Sequence, residues 1–268
     1  MEKQQGLDNF FNNMWVDYCN LNPQAREVYK KLTEYGEKVV NDHIAFRTFS
    51  HPLINRQVLS KKFLDYGYRK IADYEFKDKK LKASHFEHSA ADMPKVFISE
   101  LDLAQCSTLV NETVAKLAQE INPQNVTEEK FLFSGRPWTA SFDVYKKLYT
   151  ESEYAAWVYA HGFRPNHFTV FINELKKLNK ISDLNQFLKT NGFALNSSGG
   201  EIKGSPDLLL EQSSTMANEI EVQFSEGKFK IPGCYYEFAK RYPMQDGKLF
   251  QGFVANSADK IFESTNQM

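Results

Sequence analysis

Two stretches of this chain repeat one order of elements at a nearly constant offset, and that constrains the fold more than any single motif. His43 and His167 stand 124 positions apart, and Gly67 and Gly192 stand 125 apart. Each histidine lies near the start of a run, Asn41–Phe49 and 165–173, whose β-branched and aromatic residues read as a strand. A stretch of helical period follows each run, at 58–66 and 181–190. Both stretches carry Phe-Leu (Phe63-Leu64 and Phe187-Leu188) and stop at or near one of those glycines. Strand-like runs come next, at 68–76, 83–88 and 95–101 in the first half and at 207–213, 216–224 and 228–238 in the second. The order βαβββ thus occurs twice, which predicts an internal duplication. Chance agreement between two loose patterns is the alternative.

The rest of the chain is read around these two modules. Leu7, Phe10, Phe11, Met14, Trp15 and Tyr18 recur at helical spacing, and Asn22-Pro23 reads as an N-cap followed by proline at the first helical position. The predicted fold class is α+β, with two pseudo-symmetric βαβββ modules at 41–125 and 165–247. N-terminal helices occupy 1–40, connector helices without a core of their own occupy 126–164, and a tail covers 248–268. A length of 268 residues corresponds to about 1.8 average domains; the repeat makes that one unit of two modules.

Charge and cysteine content narrow the partners. Lys+Arg is 33 and Asp+Glu is 34, a net charge of −1 with no basic tract, which gives no electrostatic reason to bind nucleic acid or anionic lipid. No apolar run approaches the length of a membrane span, and the N-terminal residues lack the basic start and apolar run of a signal peptide. The three cysteines, Cys19, Cys106 and Cys234, are far apart and odd in number, as expected of a reduced protein in the cytoplasm.

Any imidazole chemistry must draw on six histidines. Strand parity places His43, Ala45 and Arg47 on one face, and His167, Thr169 and Phe171 on another equivalent one. Two histidines from equivalent strands begin a metal site. Glu237 lies in the apolar and aromatic run Cys234-Tyr235-Tyr236-Glu237-Phe238-Ala239, where a buried carboxylate needs a partner. That partner is either a metal or Arg241 or Lys240; Glu100 is the counterpart in the first half. Two histidines and one carboxylate suit both non-haem Fe(II) and catalytic zinc. Arg47 suits bidentate capture of the far carboxylate of a small diacid, although spacing alone favours an ion pair with a neighbouring acid. His85 is a candidate pocket residue, but it cannot share a strand face with His88, three positions on. His51 reads as a turn residue and His161 as a helix end. The sequence has no phosphate-binding glycine loop, nucleophile elbow or Cys-x-x-Cys.

Asp42-His43-Ile44-Ala45-Phe46-Arg47-Thr48-Phe49, Asn166-His167-Phe168-Thr169, Tyr236-Glu237-Phe238-Ala239 with Arg241-Tyr242, and the tail elements Phe250-Gln251-Gly252-Phe253-Val254 and Ile261-Phe262-Glu263-Ser264-Thr265 together resemble the 2-oxoadipate dioxygenase/decarboxylase family. The resemblance runs from about residue 40 onward. It implies a vicinal-oxygen-chelate-like curved sheet built from the paired modules. It implies His43, His167 and Glu237 as ligands of Fe(II), with Zn or Ni as the alternative and no organic cofactor. It also implies Arg47 as the substrate-carboxylate arginine, with Gln251, Phe253 and Val254 of the tail beside the substrate. The implied partners are a small 2-oxo dicarboxylic acid and O2, and the implied reaction is 2-oxoadipate plus O2 to 2-hydroxyglutarate plus CO2. Competing readings are a zinc- or nickel-dependent lyase or isomerase on the same scaffold, and a non-catalytic carboxylate-binding relative.

Overall fold

The computed structural model describes residues 2–90, 92–254, 260–261 and 263–265. The two histidine-bearing strands, β1 (Asn41–Phe49) and β5 (Pro165–Phe171), lie antiparallel at the centre of one eight-stranded sheet. Each has a parallel partner on its outer side: β4 (Lys95–Leu101) beside β1, and β10 (Glu237–Arg241) beside β5. β2 (Arg69–Phe76) and β3 (Leu81–Glu87) complete one half, and β6 (Lys203–Ser205) and β7 (Leu210–Ser214) the other. The order β2-β3-β4-β1-β5-β10-β7-β6 therefore relates the halves by a pseudo-two-fold axis between β1 and β5. The sheet curls into a half-barrel, and the fold is the α+β, vicinal-oxygen-chelate-like pairing of βαβββ modules expected from the sequence.

Helices from the first half of the chain cover the face of the sheet on which β1 and β5 carry Ile44, Phe46, Phe168 and Val170. In α1 (Glu2–Leu21), Leu7, Phe10, Met14 and Tyr18 form one buried stripe at three- and four-residue spacing. Full burial of each such side chain stabilises the fold by roughly 1.5–3 kcal/mol. Trp15 and Tyr18 meet Phe168 of β5. The Phe63 ring of α3 (Arg56–Asp65) meets Phe46 of β1, and Asn185 of α7 (Ile181–Thr190) accepts a hydrogen bond from Ser213 of β7. α2 (Pro23–Glu34) starts with proline as expected, but Asn22 does not cap it. The Asn22 amide instead donates to the Tyr18 hydroxyl at 2.9 Å. α4 (Thr108–Gln119) follows β4, and the connector, with α5 (Phe142–Glu151) and α6 (Glu153–His161), shares the common core, with α6 buried from Tyr154 to His161.

The second half departs from the expected strand positions. The run 216–224 does not enter the main sheet. It forms β8 (Glu219–Phe224), which pairs only with β9 (Gly227–Pro232). The run 228–238 breaks at 233–236, so β9 and β10 are separate strands. The reason lies in where the hairpin finds apolar contact. Glu219, Glu221 and Gln223 face solvent, while Phe229 stacks on Phe142 of α5 with ring centroids 3.8 Å apart and Phe224 meets Phe142 and Tyr145. The hairpin thus packs on the connector. The run 207–213 begins as a 3-10 turn, Pro206–Leu208, before β7, and the sheet strand before it is the three-residue β6, whose central residue is Gly204. No described helix is long and apolar enough to cross a membrane, and the three cysteines are free thiols.

Candidate metal centre

Register across the centre of the sheet brings the predicted ligands together. His43 of β1 and Glu237 of β10 both pair with Thr169 of β5, one from each side, and His167 pairs with Ala45. Side chains in one cross-strand row share a face, as do residues two apart along a strand. His43, His167 and Glu237 therefore point to one side. Their ligand atoms all lie within 4.8 Å of one another. His43 Nε2 is 3.5 Å from Glu237 Oε1, and His167 Nε2 is 3.3 Å from Glu237 Oε2. Ligands held at about 2.0–2.2 Å from one metal stand roughly 3–3.5 Å apart, so the donor set and its spacing fit a divalent cation.

Two β-bulges orient the imidazoles. Between Asn41 and His43 the β1–β5 register slips by one, so Asp42 is the extra residue on β1; between Ala45 and Phe46 it slips back, so Asn166 is the extra residue on β5. A bulge turns its extra side chain out of the normal alternation. Each bulged residue then meets the histidine that follows it: Asp42 Oδ1 is 2.8 Å from His43 Nδ1, and Asn166 Oδ1 is 3.0 Å from His167 Nδ1. Nδ1 thus carries the proton on each ring and Nε2 is left as the ligand. Gln212 of β7 donates to Glu237 Oε1 at 2.6 Å.

Electrostatics point the same way. Burial lowers the pKa of His43 against the opposing pull of Asp42, and lowers that of His167 well below its ordinary value, with the charges of His43 and Arg47 adding to the effect. Burial pushes Glu237 up to about 8, against the hydrogen bond from Gln212. Two neutral imidazoles and a carboxyl whose negative charge lacks compensation are what a metal cation reverses. Glu237 does not pair with Arg241, as the alternative required. Arg241 is bound to Asp42 at 2.6 and 2.8 Å. Glu100, the counterpart, lies 3.6 Å from Arg56.

The remaining candidates are spread around the triad. The cavity at the ligands measures about 20 Å³ and is lined by His43, Phe97, His167, Gln212, Glu237, Phe253 and Ile261. Phe253 stands edge-on to His43 at 4.8 Å. Arg47 is buried beyond this cavity, with Nη1 2.9 Å from Glu153 Oε1, Nη2 3.4 Å from Thr265 Oγ1, and its guanidinium over Tyr154 and Trp157. His85 lies behind Phe253, 2.9 Å from the Tyr74 hydroxyl and 3.2 Å from Glu87. Gln251 is exposed and donates to Leu249 O; its side chain borders an outer cleft with Asp42 and Lys95. Val254 is half-buried and is not among the residues lining the triad cavity. Of the expected tail 248–268, residues 255–259, 262 and 266–268 lie outside the described residues.

Sequence reasoning passed over Asp42, Asn166, Gln212, Glu153 and Tyr235. The first two had a readable signal, since a side-chain oxygen precedes each ligand histidine at the same 124-residue offset. Tyr235 shares a face with Glu237 by parity. It is fully buried, and its ring stacks on His167 with centroids 4.7 Å apart.

Similarity to known proteins agrees with this geometry. The family model described as 2-oxoadipate dioxygenase/decarboxylase matches residues 15–133 and 127–250. An Arabidopsis thaliana protein named 2-oxoadipate dioxygenase/decarboxylase, chloroplastic, is 37% identical over 93% of this chain and 75% of its own length. The structure of hydroxyglutarate synthase from Oryza sativa in complex with 2-oxoadipate is 32% identical, covers 99% of this chain and 93% of its own, and superposes with a TM-score of 0.94. A Shewanella frigidimarina structure described as a hydrolase is 48% identical, covers 92% and 97% of the two chains, and has a TM-score of 0.89. With a buried two-histidine, one-glutamate cluster on a paired-module sheet, and with relatives alike over nearly its whole length, this chain belongs to the 2-oxoadipate dioxygenase/decarboxylase family.

Proposed function

We propose that this protein is an Fe(II)-dependent dioxygenase/decarboxylase that converts 2-oxoadipate and O2 to 2-hydroxyglutarate and CO2. The observation that carries the reading is the buried His43–His167–Glu237 cluster in a chain whose relatives are named for that reaction. Fe(II), when bound, supplies a chelation point for the 2-oxo acid and activates O2. His43, His167 and Glu237 would hold it, a two-histidine, one-carboxylate set of the kind non-haem iron oxygenases use.

The protein's own work is positioning and exclusion of water. Arg47 lies on the ligand face of β1, four residues beyond His43, and offers a charged fork to the far carboxylate of the diacid. In this structure that fork is held by Glu153 and Thr265, so the substrate carboxylate takes its place among these partners. Phe97, Phe253 and Ile261 close the ligand side to water. A cavity of about 20 Å³ holds one water-sized particle. A six-carbon diacid therefore enters only as the apolar lining moves apart, and once bound it fills the space that water would take around the reacting carbon.

The test is oxygen uptake together with 2-hydroxyglutarate formation by the Fe(II)-loaded protein given 2-oxoadipate. Equal molar uptake and product are expected. Turnover with zinc and no oxygen consumption would overturn this reading in favour of a lyase or isomerase.

A further inference from the structure

Arg241 is one of the largest fully buried side chains of the protein, and it is neither one of the three ligands nor among the residues that line their cavity. Its guanidinium is divided between two duties. One edge binds Asp42, through Nε to Oδ2 at 2.6 Å and Nη2 to Oδ1 at 2.8 Å. Nη1 turns the other way and donates to two backbone carbonyls of the tail, Phe250 O at 2.9 Å and Gly252 O at 2.8 Å. Asp42 in turn holds His43 Nδ1, while the residue after Gly252, Phe253, lays its ring edge-on to His43 and 5.4 Å from the Arg241 guanidinium. The contacts form a closed circuit: His43, Asp42, Arg241, residues 250–253, and back to His43. Tyr74 pins the same segment from the first module, accepting from Phe253 N–H at 3.3 Å and held by His85 at 2.9 Å.

We propose that Arg241 is a positioning residue that couples the tail segment 250–253 to the metal ligand His43 through Asp42. The inference rests on the metal-site reading above. Its physical content is that one rigid planar group satisfies a buried carboxylate and two carbonyls together, so neither side can shift without loosening the other. A lysine at this position neutralises Asp42 but cannot span both carbonyls, since an ammonium is a point charge and not a fork. Coupling of this kind is reciprocal: if the segment steadies the ligand, metal at the ligand steadies the segment.

The test reads both directions with Co(II), whose visible absorption reports ligand geometry without turnover. In the wild-type protein, Co(II) binding is expected to slow hydrogen exchange of the amides of residues 250–253 at least severalfold. In Arg241→Lys that protection is lost, the Co(II) spectrum shifts, and Co(II) affinity falls about tenfold, the scale of an outer-shell defect. Phe253→Ala weakens Co(II) binding in the wild-type background but adds nothing in Arg241→Lys, because the circuit is already open. A purely structural role for Arg241 would lower Tm while leaving the spectrum and the exchange pattern of the bound form unchanged, and that result overturns the proposal. So does additivity of the two substitutions. If Arg241→Lys does not fold, the wild-type exchange measurement alone decides, since Co(II) bound without protection of 250–253 refutes the coupling. Failure of the wild type to bind Co(II) at all is a different result, and it removes the metal site itself.

Discussion

Glu237 is the residue whose titration is most informative. Burial raises it to about 8 while both ligand histidines are held below their ordinary values, so at pH 7 the metal-free site carries its proton on the carboxyl. Metal binding must displace that proton and none from the imidazoles. Calorimetry in buffers of different ionisation enthalpy should therefore show release of about one proton per metal at pH 7. Release near zero would mean an already charged Glu237. Arg47→Ala should raise KM for the diacid at least tenfold, a bidentate charged contact being lost, while iron binding stays at the wild-type level. An unchanged KM would take away its carboxylate role. Asn166→Ala should weaken metal binding about tenfold by freeing His167 Nδ1, read by competition with a chelator.

The ligands themselves were legible in the sequence because a repeat offset picks two histidines out of six and parity then orients them. What surrounds them was less so. Glu153, 106 residues from Arg47, is invisible to any local pattern. Gln251 was legible only with the tail as a whole, but 250–253 is not a strand, so parity with Phe253 two positions on does not hold; Gln251 borders the outer cleft, and of the two only Phe253 lines the cavity.

At the scale of elements, the alternation of a strand governs what the site can be, and two local exceptions complete it. The bulges at Asp42 and Asn166 put an oxygen behind each ligand ring, and removal of either extra residue would slip the register and turn a histidine to the opposite face. The junction from α6 to β5 is equally particular. Gly162 ends α6 with φ +71°, and a Cβ there would stand 2.2 Å from Gly135 O. Gly162→Ala should cost more than about 1 kcal/mol, measured as a shift of the urea midpoint at unchanged m. The elements misread from sequence were those whose partner lies outside the sheet. The alternation of 219–232 is a true strand signal, but alternation says only that one face is apolar and not which surface receives it. Phe142 of the connector receives it here.

For the whole molecule, the triad imposes a pH dependence that metal should abolish. Below 6.5 the lowered histidines favour stability as pH rises; between 6.5 and about 8 the folded state keeps a proton on Glu237 that the unfolded chain has lost. Stability of the metal-free protein therefore falls with rising pH across that second window. Tm followed by calorimetry from pH 6.5 to 8 should decline for the metal-free protein and flatten both in Glu237→Gln and in the metal-loaded form, where Glu237 has already lost its proton. A metal-free Tm that climbs through this window would contradict the burial of Glu237 as an acid.

The seam between β1 and β5 carries a consequence for how the protein is made. A ribosome-bound chain that has grown only as far as β5 already displays both ligand histidines, yet the carboxylate arrives with β10, 194 residues after His43. β10 lies beside β5, while the hairpin that precedes it in the chain packs on the connector instead of the sheet. The full set of two histidines and one carboxylate therefore exists only once β10 has docked beside β5.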